Sequence, residues 1–158
     1  MNHMSWDDYF MNMALLSAER SKDPNTKVGA VIANEDKRIV GIGYNGFPNG
    51  CSDEDFPWDR EGDFENTKYA YVVHAEENAI LNSTTTLKDG VIFVSLFPCN
   101  ECAKKIIQSG IREVVYLSDK YDGTPGNIAS KRMLKASGVA TRQLQREKGI
   151  QIMELEHV

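Results

Sequence analysis

Cys99 and Cys102, in "PCNEC", are three residues apart, directly behind Pro98. Proline is favoured at the first position of a helix, and residues three apart share a helix face. Thiolates at a helix N-terminus are stabilised by unpaired backbone N–H groups and the helix dipole. Two sulfurs so placed suit a soft divalent ion, zinc above all. The same pair also fits a redox couple or two buried cysteines. His74, in "HAEENAILN", is the only histidine in the body of the chain, since His3 and His157 lie near its ends. Taken with the cysteines it supplies a third ligand. Three protein ligands leave one tetrahedral position open, which is the catalytic arrangement, whereas structural zinc sites are closed with four. A water in the open position falls from a pKa of 15.7 to about 7.

Glu76 follows His74 by two residues, a spacing that puts them on different faces of a helix. It is therefore poorly placed to join His74 on a metal and well placed to meet what occupies the open position. A carboxylate there can take a proton from water and pass it to a substrate nitrogen. Glu77 reads as a solvated glutamate of the helix start. Cys51 offers the competing reading, a closed Cys₃His structural site.

Composition narrows the partners. The chain has 158 residues, 41% hydrophobic and 26% charged, with a formal net charge of −5. Its length is that of one domain, 1–158. A nucleic-acid duplex needs basic faces and is not expected as a partner. No apolar run approaches the roughly 18 residues of a membrane span, and "MNHMSWDDYF" lacks the features of a signal peptide. Three cysteines, two of them closely spaced, suggest metal or redox chemistry in a reducing compartment, so a cytoplasmic location is expected. A small anion held by a few local cations remains compatible with the acidic balance.

Several elements must position these groups. Trp6, Tyr9, Phe10, Met13 and Leu16 recur at helical spacing, with Ser5 as N-cap and Asp7 and Asp8 in the first turn. "KDPN" breaks that helix. "VGAVIA" and "RIVGIGYN", separated by "NEDK", read as a hairpin, and Gly41 and Gly43 leave one face of its second strand bare. An irregular stretch from about 46 to 68 follows, of the length often reserved for function. A short helix then carries "HAEENAILN". "VIFVSLF" and "EVVYLS" read as strands around the helix "PCNECAKKIIQSG". "NIASKRMLKASG" is a closing helix, and "VATRQL" and "GIQIMELE" are further strand candidates. Strand–helix–strand units imply parallel pairing with helices over the sheet. The fold expected is a three-layer α/β/α sandwich with a mixed sheet of about five strands.

H-x-E followed by P-C-x-x-C is the known signature of zinc nucleobase deaminases. Further stretches resemble one branch, the deoxycytidylate (dCMP) deaminases: "RSKDPNTKVGAVI", "GIGYNGFPNGCSD", "PW", "KYAYVVHAEENAI", "LFPCNECAKKIIQSGI" and "SDKY". The likeness runs from about Tyr9 to Val139. It implies a cytidine deaminase-like fold that binds one zinc ion per chain through His74, Cys99 and Cys102, with Glu76 as proton shuttle. It implies that dCMP is hydrolysed at cytosine carbon 4 to dUMP and ammonia, supplying thymidylate synthesis. Asn45 resembles the asparagine that holds the sugar. "SDKY" resembles a substrate-recognition loop, with Lys120 and Tyr121 near the nucleotide; Lys22 joins Lys120 as a candidate for its phosphate. Family members are often homohexamers activated by dCTP and inhibited by dTTP, with Mg2+ accompanying the triphosphate. Asn45, Gly46, Phe47 and Pro48 resemble the segment tied to that regulation. Two departures stand out. Glu77 replaces a usual leucine, and Thr85 stands where some relatives place an arginine. The absence of histidine between 4 and 73 points to a single zinc rather than the two of some phage relatives.

Overall fold

The computed structural model of the chain describes residues 2–157. Its first helix, α1 (Trp6–Ala18), starts where Ser5 caps it, the Ser5 hydroxyl accepting the Asp8 N–H at 3.1 Å. Strands β1 (Gly29–Ala33) and β2 (Ile39–Tyr44) form the expected antiparallel hairpin, closed by a turn in which Lys37 takes a left-handed φ of 63°. Then come α2 (Ala75–Leu81), β3 (Val91–Leu96), α3 (Asn100–Gln108), β4 (Glu113–Ser118), α4 (Pro125–Ala136) and β5 (Ala140–Gln143). The five strands make one sheet in the order β2-β1-β3-β4-β5. β1 is antiparallel to both its neighbours, while β3, β4 and β5 run parallel. The mixed sheet follows directly from a hairpin joined to two strand–helix–strand units.

Both faces of the sheet are covered. Phe10, Met11 and Ala14 of α1 pack on Val31, Ala33, Phe93 and Val115. On the opposite face Ala75 and Ala79 of α2, Ala103 and Ile106 of α3, and Leu134 of α4 pack on Ala30, Ile32, Ile92, Val94 and Val114. Burial on two sides explains why β1 and β3 are almost continuously apolar in sequence. The three-layer sandwich is thus observed.

The bare face of β2 is the seat of α2. A Cβ on Gly43 would lie 2.4 Å from the Ala79 nitrogen and 2.6 Å from the Ala75 oxygen. One on Gly41 would lie 2.5 Å from the Ala79 oxygen. Asn78 of α2 and Asn82 at its C-cap donate to the Tyr44 and Ile42 carbonyls at 2.8 and 3.0 Å, which covers the free edge of the sheet.

One stretch of the sequence behaves differently from its local pattern. "GIQIMELE" is not a strand: its residues through His157 carry no regular structure, and Ile152, Met153 and Leu155 are exposed. The chain leaves the sheet after β5 and is strapped to α1 instead. The Glu147 and Lys148 N–H groups donate to the Asp8 carboxylate at 3.2 and 2.9 Å, and Asn12 donates to the Lys148 carbonyl at 3.0 Å. That route takes the tail off the β5 edge, so its alternating apolar residues find no partner strand. The stretch 46–68, irregular as expected, is packed by its own aromatics. Phe47 lies over Trp58 with ring centroids 4.1 Å apart, and Phe56 meets Tyr71 edge-on at 5.1 Å. It ends in two short 3₁₀ turns, Phe64–Asn66 and Lys68–Ala70.

Candidate active site

Two helix starts converge on one point. His74 is the N-cap of α2, and Cys99 is the N-cap of α3 with Cys102 in its first turn. The His74 Nδ1 atom lies 3.4 Å from the Sγ atoms of both Cys99 and Cys102. All three donor atoms fall within 4.8 Å of one another. A tetrahedral zinc at ordinary bond lengths sets nitrogen and sulfur about 3.6 Å apart, so this donor set fits that ion in chemistry and in spacing. Cys51 lies outside the group.

The local charges are coupled. The Cys99 thiol is brought down to about 4 by the hydrogen bond from Cys102, which with the His74 contact outweighs burial. Cys102 is pushed up, because the same bond leaves the shared proton on its sulfur and burial disfavours a second thiolate. The contact with Cys99 raises His74 against the opposing effect of burial. Arranged this way, the site holds one thiolate ready at a helix N-terminus.

Glu76 sits in the first turn of α2, 4% exposed. Burial pushes its carboxyl up to about 7, with the nearby His74 working in the other direction. His74, Glu76 and Cys99 line one cavity of about 280 Å³. Glu77 points elsewhere and pairs with Lys105 of α3 at 3.4 Å, so it ties two helices together rather than standing solvated.

Of the other residues singled out in the sequence, Asn45 and Tyr121 line this cavity. Asn45 is buried, and its amide is engaged by the chain itself. Its Oδ1 accepts the Val28 N–H at 2.9 Å and its Nδ2 donates to the Thr26 carbonyl at 2.9 Å. Lys22 and Lys120 are not among the lining residues. Lys22 pairs with Asp53 at 2.8 Å in the open, and the Lys120 ammonium lies 5.2 Å from the Tyr121 ring centre. Gly46 is joined to Val73, next to His74, by paired backbone hydrogen bonds of 3.1 and 2.7 Å. Phe47 stacks on Trp58, and Pro48 is exposed.

The cavity wall also contains residues to which spacing gave no pointer. Lys68 and Asp23 form a buried ion pair at 2.6 Å, 45 residues apart in sequence. Asp23 drew no functional role from the sequence, where it stood in the helix breaker "KDPN", and that signal had a structural cause. Its Oδ1 accepts the N–H groups of Asn25 and Thr26 at 2.8 and 3.1 Å and so turns the chain. Arg60 lies on the same wall.

The model for the cytidine and deoxycytidylate deaminase zinc-binding region matches residues 4–118, which contain all four of the converging groups. The chain belongs to this deaminase family. It is 52% identical to the human deoxycytidylate deaminase over 144 residues, covering 90% of this chain and 81% of that one. Identity to the mouse deoxycytidylate deaminase is 51% with the same coverage. The fold is shared with the crystal structure of a dCMP deaminase from the cyanophage S-TIM5 in complex with dCMP and dUMP. That match has a TM-score of 0.72 at 26% identity, over 90% of this chain and 100% of that one. The protein is a hydrolytic deaminase.

Proposed function

We propose that the chain, a single catalytic domain over 1–158, hydrolyses dCMP to dUMP and ammonia with one zinc ion held by His74, Cys99 and Cys102. The observation that carries this reading is the convergence of those three donors beside a buried Glu76, which with His74 and Cys99 lines a cavity of about 280 Å³. The names of the human and mouse relatives and of the cyanophage complex support dCMP as the substrate.

A zinc ion at these donors supplies, when bound, a water acidic enough to lose its proton near neutral pH. Glu76 would take a proton from that water and deliver it to cytosine nitrogen 3. It then moves a second proton to the exocyclic nitrogen, which leaves as ammonia. A buried carboxyl can both accept and return a proton in the course of the reaction, a part that an exposed glutamate plays less well. Asn45 borders the sugar and Tyr121 the nucleotide. Asn45 serves first as a brace, since its amide holds the loop 26–28 against the cavity.

The same reading extends to regulation. dCTP, accompanied by Mg2+, would activate and dTTP inhibit through Asn45, Gly46, Phe47 and Pro48, in a cytoplasmic homohexamer supplying dUMP for thymidylate synthesis. The backbone pairing of Gly46 with Val73 supports this, because it links that loop directly to the residue before His74. No helix among the described residues is long and apolar enough to cross a membrane. Ammonia release from dCMP, deoxycytidine, CMP and dCTP, each with and without dCTP, dTTP and Mg2+, tests the whole scheme. Turnover confined to dCMP and altered by the triphosphates is expected; turnover of another substrate alone would overturn the specificity.

A further inference from the structure

We propose that Arg60 and Lys68 form the phosphate subsite of the cavity and are what makes it prefer a nucleotide to a nucleoside. The inference rests on the deaminase reading above. In a chain of net charge −5, a dianionic phosphate monoester needs local cations at the cavity itself. Arg60 and Lys68 are the lysine and arginine residues that line it. The Lys68 N–H donates to the Asp59 carbonyl at 2.9 Å, which sets Arg60, the next residue, beside Lys68.

Lys68 is unusual for a lysine. Its side chain is 9% exposed, and its ammonium is held at 2.6 Å by the Asp23 carboxylate. A buried ion pair is weak support for stability, since well-packed apolar residues serve as well or better. An ammonium carries three donors and Asp23 Oδ2 takes one. The Asp23 carboxylate lines the same cavity, but its oxygens are occupied by the Asn25 and Thr26 N–H groups, the Asn45 amide at 3.5 Å and Lys68, so the pair offers a phosphate hydrogen-bond donors while Arg60 supplies the net positive charge. What the pair presents to the cavity is therefore a positioned ammonium with donors to spare. Arg60 is exposed at the wall and makes no ion pair among the described residues. Its planar fork suits a phosphate, and its side chain is free to close on one.

The test compares Arg60→Gln, Arg60→Lys and the double variant Asp23→Asn/Lys68→Met with the parent protein. The double variant avoids stranding a buried carboxylate, and its folding is checked by circular dichroism. Steady-state turnover is read for dCMP and deoxycytidine, and calorimetry reads binding of dUMP against deoxyuridine. We expect Arg60→Gln to lower the dCMP-to-deoxycytidine ratio of kcat/KM about 10- to 100-fold, mainly through KM, with Arg60→Lys in between. An unchanged ratio in both Arg60→Gln and the double variant would overturn the proposal, as would equal losses on both substrates. The calorimetry does not need turnover. A parent protein that prefers dUMP to deoxyuridine, with the preference lost in Arg60→Gln, supports the subsite even where no ammonia is released. No such preference in the parent overturns it.

Discussion

Glu76 and its neighbours His74 and Glu77 show how one helical turn separates three roles. His74 is outside the first turn as its cap, Glu76 points into the buried cavity, and Glu77 reaches sideways to Lys105. Replacing Glu76 with Gln preserves shape and removes the carboxyl proposed above as the proton carrier. Zinc content, measured by plasma mass spectrometry, should stay at one per chain while turnover falls by at least about 100-fold. Cys51→Ser should also keep the metal, because its sulfur is not part of the converging group, whereas Cys102→Ser should lose it. These residues were legible in the sequence because their chemistry is written in short spacings: two between His74 and Glu76, three between the cysteines. Lys68 and Asp23 were not. Their pairing joins segments 45 residues apart, and no local period records it. The carboxyl of Asp23 is raised by burial, but the hydrogen bonds from Lys68, Asn25 and Thr26 prevail and hold it below its ordinary value of 3.8. A depressed carboxyl stabilises the fold above that value, and the contribution disappears as pH falls through the lower folded one. Melting temperatures measured from pH 6 down to 2.5 should converge for the parent protein and the Asp23→Asn/Lys68→Met variant at the acid end. Parallel curves throughout would deny Asp23 that part.

At the scale of elements, α2 is the piece whose placement matters most, because it carries His74 at its start and Glu76 in its first turn. Its seat on β2 has no room for side chains. Gly43→Ala would put a methyl group 2.4 Å from the Ala79 nitrogen, backbone that cannot step aside without moving the whole helix. A destabilisation of about 1–3 kcal/mol or more is expected from urea unfolding. Zinc affinity should fall with it, although residue 43 touches no ligand. The bare face of β2 could be read from the glycines alternating with apolar residues, and the helix that fills it from its own apolar alanines. What could not be read was that the two belong together, which is a tertiary fact. The failed strand "GIQIMELE" has the same origin. Its alternation suits a strand, but the polar strap from Asp8 and Asn12 draws the preceding residues onto α1 and away from the sheet edge.

For the molecule as a whole, the sheet divides the labour between its ends. The β1–β2 hairpin with α1 is local in sequence, while the antiparallel pairing of β1 with β3 brings the start of α3 beside the start of α2. The His74–Cys99 contact therefore bridges segments 25 residues apart, and it does so with donors that hold little together by themselves. An ion seated there acts as a fastener between two separately built parts of the chain. Binding energy for the ion becomes folding energy, and the working temperature range of the enzyme becomes a function of metal supply. Free ion at 100 times its dissociation constant adds about 2.7 kcal/mol, or about 5–10 °C in melting temperature for a chain of this length. Calorimetric melting after chelation should show that loss in the parent protein and none in Cys102→Ser. A cell short of zinc would then lose this protein to unfolding and proteolysis, and not merely its turnover.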